Sequence, residues 1–189
     1  PHAIDLGLPS GTKWACCNVG ASSPEQYGDY FAWGEIQPKS KYGWDNYAYW
    51  HDDNEDEVVD NNELTNIGSD IAGTDYDAAT ANWGSPWCMP TLEQIRELWD
   101  NCSYTWTSKN EIDGCEFTGS NGGKIFLPAA GDSWYGNLLN EGSRGFYWVP
   151  PQPETQQKST YSLYSTSEGV SWGNHDRSYG QPVRPVRKN

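Results

Sequence analysis

Met89-Pro90-Thr91-Leu92-Glu93-Gln94-Ile95-Arg96-Glu97-Leu98-Trp99 decides the fold class. Thr91 carries the side-chain oxygen of an N-cap, and Gln94 stands three residues on as its capping-box partner. Leu92, Ile95, Leu98 and Trp99 recur at helical spacing and make one apolar face. Beyond Cys102 the pattern changes to short strands: Tyr104-Thr105-Trp106-Thr107, Cys115-Glu116-Phe117-Thr118 and Lys124-Ile125-Phe126-Leu127-Pro128. Asn121-Gly122-Gly123 supplies a hairpin turn between the last two. Upstream, Ile4 to Gly11 reads as a strand and turn, and Lys13 to Cys17 as a strand. Ser23-Pro24-Glu25 offers an N-cap with Pro at the first helical position, which predicts a short helix over Pro24 to Tyr30. Asp77 to Asn82 is a further helix candidate, and Val183-Arg184-Pro185-Val186-Arg187 closes the chain as a strand. The expectation is one α+β domain over residues 1–189, with two main helices and a loop-rich, mostly antiparallel sheet.

Composition narrows the function. The 189 residues carry a net charge of -14, and mean hydropathy is -0.83. Even so, 11 Trp and 12 Tyr can supply a core, since each large ring buries roughly 150–250 Å². Such a negative field repels phosphate backbones, and no basic stripe with interleaved aromatics is present, so nucleic acid is excluded as a partner. No apolar run approaches the roughly 20 residues that span a bilayer. The chain opens on Pro1, which suggests a processed or excised domain of a longer exported protein. Cys16, Cys17, Cys88, Cys102 and Cys115 lack metal-ligand spacing and read as small buried hydrophobes, with one bridge open to them.

The last forty-odd residues alternate scaffold and variable positions. Tyr161, Leu163, Val170, Trp172, Arg177, Gly180 and the Val183–Arg187 strand stand as posts. Between them lie Thr166, Ser167, Glu168, Ser171, Gly173, Asn174, His175, Asp176 and Ser178. Short polar residues between fixed posts suit a displayed binding surface better than an active site, which needs a few special groups.

Several stretches resemble a known family. Asp5-Leu6-Gly7-Leu8-Pro9-Ser10-Gly11-Thr12-Lys13-Trp14-Ala15 is similar to the opening signature of the Fibrobacter succinogenes major paralogous domain family. So are Tyr27 to Glu35, Asp77 to Gly84, Trp87-Cys88-Met89-Pro90-Thr91, Phe126 to Gly131 and Gly180 to Arg187. The resemblance implies a C-type-lectin-like fold of the formylglycine-generating-enzyme branch, and a surface protein of gut or oral bacteria. It also implies kinship with the variable proteins of diversity-generating retroelements, whose ligand contacts come from the region matching Val149 to Gln181. Departures from the pattern are Val149-Pro150-Pro151, Ser165, Pro182 and Cys88.

Candidate chemistry follows. The enzyme branch needs a reactive cysteine pair late in the domain, and this chain has no cysteine after Cys115. His2, His51 and His175 are its imidazoles, and none stands in a nucleophile motif. Asp52, Asn54, Asp56, Asp60 and Glu63, in an acidic insertion at about 51–63, fall at positions 1, 3, 5, 9 and 12 of an EF-hand-like calcium loop. Glu57 takes the place of its glycine, at a cost of roughly 1–2 kcal/mol; a solvated acidic loop is the other reading. Gln152-Pro153-Glu154 is similar to a sugar motif of animal lectins but has no Trp-Asn-Asp partner. Trp14, Trp33, Trp83, Trp87, Trp99 and Trp148 are expected in the core. The expected ligand contacts are Trp134, Tyr135, Pro151, Gln152, Glu154, Tyr164, Glu168, Ser171, Trp172, Asn174, His175, Asp176 and Ser178, on a variable-looking region at about 149–181. The expected function is non-catalytic binding of a protein or glycan by a cell-surface or secreted module, with no cofactor beyond a structural calcium. A structural module of a larger surface or pilus assembly is the alternative, and an enzyme the third.

Overall fold

The computed structural model describes residues 2–149 and 158–187. Thirteen short strands and two helices alternate with long loops among these residues. β1 (Ala3–Asp5) and β13 (Val186–Arg187) flank β2 (Lys13–Ala15), both antiparallel to it, so the two ends of the chain share one sheet. β3 (Tyr30–Phe31) pairs with β12 (Gln181–Pro182). β4 (Ser103–Lys109), β5 (Ile112–Thr118) and β6 (Lys124–Pro128) form a meander, and β7 (Asp132–Trp134) pairs with β8 (Asn137–Leu139). The third three-stranded sheet runs β11 (Gly169–Asp176), β10 (Ser159–Thr166), β9 (Gly145–Trp148). All these pairings are antiparallel, and with so few helices the architecture is α+β. No helix among the described residues is long and apolar enough to cross a membrane.

Helix α2 (Leu92–Asn101) forms for the reasons its sequence states. Thr91 Oγ1 accepts from Gln94 N at 3.3 Å, and Gln94 Oε1 accepts from Thr91 N at 2.8 Å. Its Ile95 and Leu98 are buried against Leu6, Trp14, Phe117, Leu127, Tyr147, Leu163 and Val186, the main core. Helix α1 (Ala78–Trp83) is only six residues long, too short to hold by propensity. The buried Asp77 carboxylate secures it, accepting from Gly73 N, Ala79 N, Thr80 N, Thr80 Oγ1 and Met89 N at 2.7–3.1 Å. A second core gathers Phe31, Trp33, Ile71, Met89, Trp148 and Val183 beneath it. The six tryptophans expected inside behave accordingly: Trp14, Trp33, Trp87 and Trp148 are buried, while Trp83 and Trp99 pack half-buried against the cores.

The expected helix from Pro24 to Tyr30 is absent, and turns replace it. Gln26 Oε1 accepts from Ser22 N and Oγ, and Gly28 takes a positive φ of 75°. A Cβ at Gly28 would overlap the carbonyl of Val19, whose oxygen accepts from Asp29 N at 2.8 Å. The segment's apolar face would be only the pair Tyr27 and Tyr30, so the backbone pairing with Val19 prevails over the capping signal. Cys16, Cys17, Cys102 and Cys115 are free thiols. Burial pushes Cys17 up to about 11 and Cys115 up to about 12, which leaves both protonated and poorly nucleophilic at neutral pH.

One side chain ties the terminal sheet to the meander. Arg184 is buried to 2% exposure; its Nε donates to Asn18 Oδ1 at 2.8 Å, Nη2 to the Phe126 carbonyl at 2.8 Å and Nη1 to the Ala15 carbonyl at 3.3 Å. No carboxylate partners it among the described residues, so neutral dipoles compensate the charge and burial lowers its pKa. Arg184→Lys, whose single ammonium cannot reach three diverging acceptors, is expected to cost about 2–4 kcal/mol. Urea unfolding checks this: a shift in midpoint well under that range would show that the three acceptors find other donors.

Candidate ligand-binding groove

The β10–β11 hairpin carries most of the expected contacts, and its register sorts them. Thr166 pairs with Gly169 across the two-residue loop Ser167–Glu168, Tyr164 with Ser171, Leu163 with Trp172, and Tyr161 with Asn174. Directly opposed residues share a face, and successive residues change face. Tyr164, Ser171 and His175 therefore lie on one side, with Phe146 and Trp148 of β9. Trp172 and Asn174 lie on the other, with Leu163 and Val170, which pack toward α2. The structure thus divides between two faces what the sequence presents as one patch.

On the first face a groove of about 450 Å³ opens between the hairpin tip and the loop before β9. Tyr164, Thr166, Glu168 and Ser171 line it from the hairpin, and Ser143 and Arg144 from the loop. Glu168 N donates to Thr166 Oγ1 at 3.1 Å, which fixes the tip. Ser167, Glu168 and Ser171 are exposed. The Arg144 side chain makes no hydrogen bond or ion pair among the described residues, so its guanidinium donors are available to a ligand. The sequence alone does not single out Arg144, because the loop that brings it here carries no motif.

Behind the groove runs a continuous row of rings. Tyr164 stacks on Phe146 with centroids 5.1 Å apart, Phe146 meets His175 at 4.5 Å, and His175 meets Tyr179 at 5.7 Å. Tyr179 stacks on Trp134 at 4.1 Å, and Trp134 meets Tyr135 edge-on at 4.6 Å. Four expected contacts are thereby joined through Phe146 and Tyr179. Tyr135 and Gly136 form the two-residue loop of the β7–β8 hairpin, both with positive φ (47° and 79°), and this turn projects the Tyr135 ring at 46% exposure.

Beneath the row His175 Nε2 lies 3.7 Å from Asp132 Oδ2, and Asn140 Nδ2 donates to Asp132 Oδ1 at 3.2 Å. Burial raises the Asp132 carboxyl and lowers the His175 imidazole, in each case against the attraction of the other's charge. Among the described residues His175 Nδ1 is buried without a hydrogen-bond partner, and no hydroxyl or thiol is bonded to the ring.

The remaining expected residues are placed as follows. Ser178 is fully buried, which corrects its assignment as a surface contact: the turn after β11 carries it inward with Arg177. Asp176 is half-buried and engaged within the fold, accepting from Ser159 Oγ at 2.8 Å and from Trp44 Nε1 at 3.4 Å. Pro151, Gln152 and Glu154 lie outside the described residues. In the acidic loop, Asp52 Oδ1 and Oδ2 accept from Asp56 N and Glu57 N, Asn54 Oδ1 from Asp56 N, and Asp56 Oδ1 from Val58 N. Glu57 adopts a φ of 59° despite its side chain. Glu63 turns inward instead, buried, and accepts from Trp50 Nε1, Asp53 N and Asp60 N. Among the described residues no three His, Cys, Asp or Glu side chains are gathered to hold a metal ion. Glu63, at the twelfth position of that loop, thus faces these three donors. Comparison with protein-family models, curated proteins and solved structures finds no match for this chain.

The His175 shift gives a pH dependence of defined sign. A histidine whose folded pKa is lowered favours the fold above its unfolded value of about 6.5, and that contribution is lost as pH falls through the folded value. Asp132, raised, acts in the opposite sense as pH rises above its unfolded value of about 3.9. His175→Gln is therefore expected to flatten the fall in urea midpoint that the wild type shows just below pH 6.5; parallel profiles for the two proteins would refute the assignment.

Proposed function

We propose that this chain is a non-catalytic ligand-recognition module of a bacterial surface or secreted protein. Its fold in this proposal is C-type-lectin-like, of the Fibrobacter succinogenes major paralogous domain type, related to the variable proteins of diversity-generating retroelements. The observation that carries the binding role is the groove at the tip of the β10–β11 hairpin, walled by hydroxyls, Arg144 and Glu168 and backed by packed rings. Rings stacked on one another have little freedom to lose, so a ligand seated against Tyr164 incurs a small ordering cost. Exposed Ser167, Glu168 and Ser171 sit on a hairpin whose pairing is made by backbone atoms. Their side chains can change without disturbing the frame, which is what a diversified receptor requires. A non-catalytic role is supported by the surroundings of His175, whose near neighbours are rings and a carboxylate rather than a nucleophile. The ligand is a protein or a glycan.

Arrays of glycans and of immobilised extracellular proteins, probed with wild type and with Ser171→Arg, test the binding role. Ser171 is exposed, so the variant should keep its melting temperature while losing roughly tenfold or more in affinity for whatever target the wild type retains. A retained target that the variant binds equally well places recognition elsewhere. No target on either array favours a structural module of a larger assembly. Sequencing the 3′ segment of the gene across a source population tests diversification: the codons for Ser167, Glu168 and Ser171 should vary while those for Trp148, Leu163 and Val183 to Arg187 stay constant.

A further inference from the structure

On the opposite face of the same hairpin, Trp172 and Tyr161 are 38% and 40% exposed. They border a cleft of about 160 Å³ between the sheet and α2, completed by Leu92 and Arg96. Trp99 of α2 lies against Trp172 with centroids 5.1 Å apart at 54°, so the indole is braced by another ring while part of it remains open to solvent. We propose that this cleft is a second binding site, separate from the groove, and that it takes one pyranose ring carrying a carboxylate, as in a uronic acid.

The chemistry of the rim points to that ligand. Pockets for drug-sized molecules occupy roughly 300–1,000 Å³, so this cleft admits a single small ring. A pyranose has an apolar face of C–H groups that packs on an aromatic face, and a girdle of hydroxyls that needs hydrogen bonds. The Trp172 and Leu92 side chains supply the apolar wall. The Tyr161 hydroxyl, the Trp172 Nε1–H and the Arg96 guanidinium all lack hydrogen-bond partners among the described residues, and all three residues line the cleft. Three unused polar groups around an apolar floor form the pattern of a small-molecule site.

Arg96 supplies the preference for an acid. Arg96 lines the cleft at an exposed position of α2 and makes no ion pair among the described residues. Glu93 and Asp100, about one helical turn to either side, make no ion pair with it. A guanidinium offers a planar fork that matches a carboxylate through two parallel hydrogen bonds, which a neutral sugar cannot reproduce. The protein's overall charge repels anions at long range but is screened beyond about 8–10 Å in physiological salt. Selection for the acid therefore depends on contact with Arg96.

The test uses the whole chain, with trigalacturonate as the acidic probe and maltotriose as the neutral one. Two-dimensional ¹H–¹⁵N NMR would follow the Trp172 indole and Arg96 Nε signals, assigned with Trp172→Phe and Arg96→Gln. Saturable shifts of both signals by trigalacturonate are expected, with maltotriose weaker by roughly tenfold or more. Arg96→Gln, at an exposed helical position, should bring the two sugars to similar affinity, and Trp172→Leu should abolish both interactions while the rest of the spectrum stays folded. Ser171→Arg, which blocks the groove, should leave trigalacturonate binding intact even if the groove has no ligand at all. The proposal is overturned by absence of saturable shifts, by equal affinity for the neutral sugar in the wild type, by an unchanged Arg96→Gln, or by loss of binding in Ser171→Arg.

Discussion

A single buried guanidinium holds the two ends of this protein in register with its middle. Arg184 lies beside the C-terminal strand β13, yet it donates to Ala15 just after Trp14, to Asn18 in the next loop and to Phe126 in the meander. Burying a charge without a counter-ion is costly unless dipoles surround it, and here two carbonyls and an amide oxygen do so. With that junction made, β13 pairs with β2, the second core closes under Val183 and Trp148, and Gln181 reaches Ser162 at 2.6 Å. That last bond joins the terminal segment to β10, so the display hairpin inherits its position from the same fastening.

The β10–β11 hairpin has two distinct faces because strands have a period of two. One face presents Tyr164, Ser171 and His175 above the Asp132 carboxyl; the other presents Trp172 and Tyr161 at the margin of α2. The same backbone ladder supports both, yet their supports differ. Stacked rings and a half-buried imidazole beside a buried acid back the first, whereas a core helix backs the second. A substitution on one face leaves the other's packing in place, which allows the two surfaces to change separately.

The acidic loop illustrates a conflict between local and global demands. Locally, Asp52, Asn54 and Asp56 fold the chain around their own backbone N–H groups, and even Glu57 accepts a left-handed conformation. Globally, Glu63 is drawn inward by the Trp50 indole and two backbone donors, because a buried polar group left unpaired would cost about 1–3 kcal/mol. Spacing along the chain cannot register that competition, since Trp50 becomes a partner of Glu63 only through the fold.

Local signals determined the elements. The Thr91–Gln94 capping box, the helix candidate at Asp77 to Asn82, the turn at Asn121-Gly122-Gly123 and the short strands Cys115–Thr118 and Lys124–Pro128 were legible because each depends on residues a few positions apart. The false helix at Pro24 shows the limit of such signals: a good cap was present, but the pair Tyr27 and Tyr30 made too narrow an apolar face to bury. The candidate contact residues were marked out as a class, polar and aromatic positions between structural posts. Tertiary structure alone decided which of them meet. It joined Tyr164, Phe146, His175, Tyr179 and Trp134 into one row, turned Ser178 inward, brought Arg144 to the groove and set Trp172 against α2. The physical reason is that these contacts link segments far apart in the chain, whose meeting is set by strand register and by the burial of a shared core rather than by any residue's own preference.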